Sequence, residues 1–157
     1  MEAVHHYFTR LTWKGSTGLG YEHYDRGHSV VAPPAHADLA ITSDPAFKGD
    51  SSRLNPEQLL LAAASSCQML SFLAVASRAR LDVVSYSDDA TALMAADNGP
   101  MRITTIRLQP EVALVDTKPS RISDERLGHL IEVAHKECFI ANTLNCEISI
   151  DPIFTWG

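Results

Sequence analysis

What this 157-residue chain lacks narrows its reading before any motif does. Three cysteines, an odd and small number, do not make the disulfide framework of a secreted scaffold. A reducing, cytoplasmic setting is therefore expected, where cysteines serve as core filler or as chemistry. No basic run or stripe occurs, and the net charge is −6, so nothing calls for a nucleic-acid partner. The N-terminus, MEAVHHYFTRLTW, lacks the charged-then-apolar layout of a signal peptide. There is no internal repeat, no low-complexity tract and no linker long enough to divide domains. The length and a hydrophobic content of 45% fit one domain, residues 1–157, with a proper core.

What the chain does have is one long apolar segment, Leu54 to Leu81. Its start is well marked: Asn55 suits a helix cap, Pro56 the first helical position, and Gln58 stands three residues after the cap. Almost no charge follows until Arg78. A helix apolar nearly all round is a buried central helix. At about 26 residues, or roughly 39 Å, it is long enough to cross a bilayer. Pro56-Glu57-Gln58 at one end, Ser65, Ser66 and Gln68 in the middle, and Arg78 and Arg80 at the other argue against a membrane span. A core helix, packing against a copy of itself, fits better.

Around this helix the chain reads as strands. Tyr7–Trp13, Tyr21–Tyr24, His28–Ala32 and Asp38–Thr42 are extended pieces, and 43–53 is a polar connection. Asp82–Met94 and Met101–Val115 flank the turn Asp97-Asn98-Gly99-Pro100 and form a hairpin. A second helix is capped by Ser123, with Asp124 and Glu125 in its first turn. Its apolar face reads Leu127, Leu130, Ile131, Ala134, Cys138 and Ala141. Cys146–Phe154 closes the chain as a strand. The fold class is α+β, a long buried central helix and a second helix packed with β-sheets.

Each helix thus offers one cysteine, Cys67 and Cys138, to its apolar face. Free cysteine is often only small apolar filler, but a facing pair is also the layout of a reactive thiol and its resolving partner. An ordinary thiol with pKa near 8.5 is only a few per cent ionised at neutral pH, and burial lowers that further. Cys67 lies roughly 16 Å from the helix start, beyond reach of the helix dipole, so a cation must hold the thiolate. Arg26 and Arg53 are the first candidates; Lys14 and Lys48 lack the planar fork.

The residues Asn55-Pro56-Glu57-Gln58-Leu59-Leu60, then an alanine-rich stretch and Cys67, resemble the N-P-E-Q-L…C helix of the OsmC/Ohr family of organic hydroperoxide reductases. Ala134-His135-Lys136-Glu137-Cys138 resembles that family's A-H-x-x-C motif, about 70 residues on and in the right order. The resemblance implies an OsmC-like fold and an intertwined homodimer with active sites at the interface. It implies that Cys67 is the peroxidatic thiol, Cys138 the resolving thiol, Glu57 the active-site glutamate and Arg26 the arginine that holds the thiolate. The substrate implied is a small apolar hydroperoxide and the reductant an external dithiol, with no metal, flavin or haem cofactor. Glu57 would fix Arg26 through a charge-assisted pair. Ten residues of helix separate Glu57 from Cys67 by about 15 Å. Either the helix bends, or Glu57 reaches the thiol of the partner subunit.

The second motif departs from the family's usual Cys-Pro-x-Ser, reading Cys138-Phe139-Ile140-Ala141. The more apolar edge favours a bulky apolar peroxide. Other readings carry less. Cys146 reads as a buried strand residue, His5-His6 as a solvated pair, and Met69, Met94 and Met101 as core. His28, beside Arg26, is a pocket-lining residue or an exposed loop histidine. His135 lacks the further ligands of a zinc site, and no oxyanion loop supports a Cys67–His135 acyl-transfer pair. The alternative function is a non-catalytic OsmC-like protein that binds a small apolar molecule or senses oxidation.

Overall fold

A computed structural model of the chain describes residues 4–96, 98–115 and 122–157. Asp97, the first residue of the expected turn, lies outside them. The chain falls into two compact units, Met1–Leu59 and Leu60–Gly157.

The first unit is a three-stranded antiparallel sheet of β1 (Arg10–Thr12), β2 (His28–Val31) and β3 (Asp38–Ile41), in that order. His28 pairs with Ile41 and Arg10 with Val31. The expected strand at Tyr7–Trp13 shortens to three residues, and the one expected at Tyr21–Tyr24 is a turn. The reason is local: the Arg26 guanidinium donates to the carbonyls of both Tyr21 and Tyr24 and folds that stretch back on itself. Gly20 enters the turn at φ +89°, a region that favours glycine. After β3, Asp44 caps a single 3₁₀ turn at Pro45–Phe47. The chain then passes so close to itself that a Cβ on Gly49 would lie 1.6 Å from the Ser43 carbonyl oxygen.

Helix α1 runs from Pro56 to Arg78. Its entry is a reciprocal capping box: the Gln58 N–H donates to the Asn55 side-chain oxygen at 2.8 Å, and the Asn55 N–H to the Gln58 side-chain oxygen at 3.1 Å. It ends short of Leu81 because Arg80 turns into the left-handed region at φ +59°, and the Leu81 N–H reaches back to the Ala76 carbonyl at 3.0 Å. Long and apolar enough to cross a membrane, α1 is nevertheless a core helix on one face, where Ala64, Gln68, Phe72, Val75 and Ala76 are buried. The opposite face is open within the chain: Ala62, Ala63, Ser66 and Ala74 are exposed, and Leu70 is 60% exposed. The helix expected to be buried all round is therefore buried along one stripe.

The second unit continues with β4 (Asp82–Asp88), β5 (Thr91–Ala95), β6 (Arg102–Leu108) and β7 (Pro110–Val115). The expected hairpin is present, but each arm is broken in two. β5 pairs with β6 and β4 with β7, and the halves lie in separate sheets, β5-β6-β8 and β4-β7-β9. Asp88 marks the break, its carboxylate accepting the Gln109 N–H at 2.7 Å and the Ser65 hydroxyl of α1. The closing segment is likewise two strands, β8 (Glu147–Ile150) and β9 (Ile153–Trp156), parallel to β6 and β7.

The second helix also splits. Helix α2 spans Asp124–Glu137, capped by Ser123 as expected, and Cys138 adopts an extended conformation (φ −74°, ψ 110°) before the one-turn α3 (Phe139–Thr143). Phe72, Val75 and Ala76 of α1 pack with Val112 and Leu114 of β7 and Leu127, Leu130, Ile131 and Ala134 of α2 in the main core. Each large side chain removed from water there contributes about 1.5–3 kcal/mol. A second cluster gathers Ala64, Ile106 and Leu108, with Cys146 packed against it just before β8. Cys146 is thus half-buried and structural. Met101, expected in the core, is 58% exposed.

Candidate functional site

The second unit brings the two helix cysteines together. All three cysteines are free, and Cys67 stands close enough to Cys138 to perturb its thiol. Cys67 projects from the middle of α1 and is partly accessible; Cys138 is 1% exposed. The break between α2 and α3 sets the second thiol. With Cys138 extended, its sulfur caps α3 and accepts the Ala141 N–H at 3.4 Å. Burial pushes the Cys138 thiol pKa up and the neighbouring Cys67 sulfur adds to the rise, while the Ala141 N–H works against both.

Cys67 opens into a groove of about 500 Å³. One wall is the α1 stripe Cys67, Leu70, Ser71, Ala74 and Arg78, at the three-or-four spacing of a helix face; the other carries Lys136, Glu137, Phe139 and Asn142. Phe139 is 80% exposed. Arg78 is paired with Glu137, so among the described residues Lys136 is the groove's cation without an ion-pair partner. Of these lining residues, Cys67 and the apolar edge at Phe139 were expected, and the others were not. The α1 stripe was available from helical spacing, but Phe139 and Asn142 depend on the helix break at Cys138.

The first unit places Arg26 and Glu57 on one cavity of about 410 Å³, with Leu11, Trp13, Tyr24 and His28 among its walls. His28 is therefore pocket-lining, and its Nδ1 lies 2.8 Å from the Arg26 carbonyl oxygen. The expected Arg26–Glu57 ion pair is not found among the described residues. Arg26 instead bonds the Tyr21 and Tyr24 carbonyls, and its guanidinium stacks 3.7 Å from the Tyr24 ring centroid and 4.6 Å from that of Tyr21. With two of five donors engaged, donors remain for a further anion. Of the other candidate cations, Arg53 faces Asp50 at 3.5 Å, Lys48 pairs with Glu22 at 2.8 Å, and Lys14 is exposed.

Among the described residues, no group of three or more histidine, cysteine or carboxylate side chains is arranged to hold a metal. His135 is half-buried on α2, its Nδ1 enclosed with no hydrogen-bond partner among the described residues, and His5 and His6 are exposed.

A search of curated proteins finds no match. Among solved structures, the chain is similar to an OsmC-like protein of unknown function from Vibrio cholerae, with a TM-score of 0.86 and 26% identity over 96% of this chain and 100% of that one. It shares its fold with an organic hydroperoxide resistance protein from Elizabethkingia anophelis (TM-score 0.71, 18% identity, 100% of both chains). It also shares it with the organic hydroperoxide resistance protein OhrB of Bacillus subtilis (TM-score 0.59, 16% identity, 94% of this chain and 98% of that). The sequence pattern of the family described as OsmC-like protein matches residues 49–152, a stretch that holds both paired cysteines. The chain belongs to the OsmC-like family.

Proposed function

We propose that the protein is a dithiol-dependent peroxidase that reduces organic hydroperoxides to alcohols. The observation that carries this reading is the approach of two reduced thiols from separate helices, one opening into a groove and the other buried behind it. In the first step the Cys67 thiolate attacks the terminal oxygen of R–O–OH. The O–O bond breaks, sulfur is oxidised to a sulfenic acid, and RO⁻ takes up a proton and leaves as the alcohol. In the second, the Cys138 thiolate attacks the Cys67 sulfur, forming the disulfide and expelling hydroxide, which is protonated to water. An external dithiol then reduces the disulfide by exchange. The apolar lining at Leu70, Ala74 and Phe139 suits the R group of a bulky hydroperoxide.

Arg26 enters this reading as the charge that holds the thiolate and orients the peroxide, and Glu57 as the carboxylate that fixes Arg26 once the site is assembled. Helix α1 runs unbroken from Pro56 to Arg78, so Glu57 stands about 15 Å of rise from the Cys67 of its own chain. We assign the pair to the Cys67 site of a second copy in a homodimer. The exposed stripe of α1 and the exposed apolar residues of the first unit, Tyr7, Phe8, Leu11 and Leu19, supply surface for such a dimer. A reducing, cytoplasmic setting keeps the cycle supplied with dithiol.

The test is titration of the reduced protein with cumene hydroperoxide and with hydrogen peroxide, counting free thiols and locating any disulfide by mass. Rapid loss of two thiols to a Cys67–Cys138 bond, faster with the organic peroxide, is expected. Thiols that survive excess peroxide would overturn the reading in favour of a non-catalytic binding or redox-sensing protein.

A further inference from the structure

Three polar side chains are buried in the described core: Thr42, Asn55 and Gln68. Thr42 accepts the Asp50 N–H, and Asn55 is consumed by its capping box. Gln68 differs. It is 1% exposed on the apolar stripe of α1, between Ala64 and Phe72. Its Nε2 donates across to the Ile131 carbonyl of α2 at 3.4 Å, and its Oε1 is buried with no partner among the described residues. An apolar side chain of similar volume would fill this position without leaving a buried acceptor unpaired, so stability alone does not explain an amide here.

Its position does. Gln68 follows Cys67 directly on α1, and Ile131 lies two turns before Cys138 on the helix that ends at that thiol. The Gln68 bond joins the two cysteine-bearing helices inside the core. Among the described residues the other polar tie between them, Arg78–Glu137, is exposed at the surface, where such a pair constrains little. Disulfide formation demands a narrow range of Cα separation and dihedral angle, so sliding of α1 against α2 is felt at the sulfurs.

We propose that Gln68 is a positioning residue that sets the register of α1 against α2 and thereby holds Cys67 and Cys138 at disulfide-forming distance. The inference rests on the resolving role proposed for Cys138, and not on peroxide being the oxidant.

The experiment uses the full-length protein and no peroxide: the Cys67–Cys138 disulfide is equilibrated against mixtures of oxidised and reduced dithiothreitol, with thermal melting of the reduced form measured in parallel. Gln68→Leu is expected to melt no lower than the wild type. It is expected to lower the thiols' effective concentration about tenfold, a change on the scale produced by small misplacements of reacting groups. Gln68→Met, unbranched and closer in shape, gives the same reading if the leucine variant does not fold. Equal effective concentrations in wild type and variant would overturn the proposal, and so would a fall in effective concentration fully matched by a fall in melting temperature. The two proposals separate in the wild type. A protein that forms the disulfide with dithiothreitol but leaves organic peroxide untouched refutes the peroxidase, while the Gln68 comparison still decides the positioning role. A wild type that forms no Cys67–Cys138 disulfide refutes both.

Discussion

The two units are held in different ways. In Leu60–Gly157 the large buried side chains form contiguous clusters, with Phe72, Leu114 and Leu127 at 0% exposure. Among the described residues of Met1–Leu59 the one hydrophobic residue of the buried core is Ile41, and the β1 residues are all exposed. Order there comes from side chains satisfying nearby backbone: Arg26 on two tyrosine carbonyls, the Trp13 indole N–H on the Asp25 carbonyl at 2.7 Å, and the Asp25 carboxylate on the Gly27 N–H at 2.8 Å. The difference assigns the two units different chemistry. The packed unit fixes the sulfurs in a defined, partly dry site. The hydrogen-bonded unit presents a cation and a carboxylate on an open cavity, where both remain available to a ligand or a second chain.

Mutation separates these roles, and the largest effect falls on the sulfurs. Cys67→Ser is expected to abolish peroxide-driven thiol loss and turnover. Cys138→Ser should allow one round of Cys67 oxidation and then accumulate the over-oxidised sulfinic acid, visible by mass. A Cys138 variant that cycles normally with dithiol would end the resolving assignment. Next comes Phe72→Ala, expected to cost about 3–5 kcal/mol in denaturant unfolding. Leu11→Ala, at a 61% exposed position, should stay within about 0.5 kcal/mol for the isolated chain. Its effect should appear instead as weaker self-association in sedimentation, and a dimer unmoved by this change would remove β1 from the proposed interface.

The same contrast explains how far the sequence could be read. Alternating and helical periodicity report burial, so α1, α2, the capping residues Asn55 and Ser123 and the hairpin pairing were all visible. The pairing of Cys67 with Cys138 was expected from their helix faces and from the resemblance. What periodicity does not report is a side chain that replaces a backbone partner. Arg26 turning Tyr21–Tyr24, Asp88 bridging the interrupted hairpin and the Cys138 sulfur capping α3 are all of that kind. The first converts an expected strand into a turn, and the other two each split a run expected to be continuous into two shorter pieces. The last of them exposes Phe139 and creates one wall of the Cys67 groove. The open stripe of α1 was hidden for another reason: burial within a chain and burial against a copy leave the same apolar signature.

Arg26→Met tests the open unit directly. If its guanidinium serves the thiolate, the rate of peroxide reaction should fall about a hundredfold, the scale of losing one donor aimed at developing charge. Arg107→Met, which removes an exposed pair with Asp151, should leave the rate unchanged. Because Arg26 also folds the Tyr21–Tyr24 turn, the rate must be read beside limited proteolysis of that loop. A slow variant with a protease-resistant turn assigns the loss to charge, and a slow variant with a cleaved turn assigns it to the fold.

The smallest expected effect comes from pH, where burial in the packed unit acts in two opposite directions. Burial holds Cys138 protonated above the ordinary thiol range, and burial with the nearby Asp88 charge raises Tyr86 as well. The unfolded chain sheds the thiol proton above about pH 8.5 and the phenol proton above about pH 10, so the folded chain binds more protons there and stability falls as pH rises. The Cys138 thiolate, however, is the form that attacks the Cys67 sulfenic acid, and its fraction grows over the same range. Disulfide formation should therefore quicken between pH 8 and 10 while the melting temperature of the reduced protein declines by a few degrees. Cys138→Ala should flatten part of the melting trend and leave the part due to Tyr86. A resolution rate that is level with pH across this range would mean that another group takes the Cys138 proton, and His135, with its enclosed Nδ1 one turn earlier on α2, is the residue to replace next.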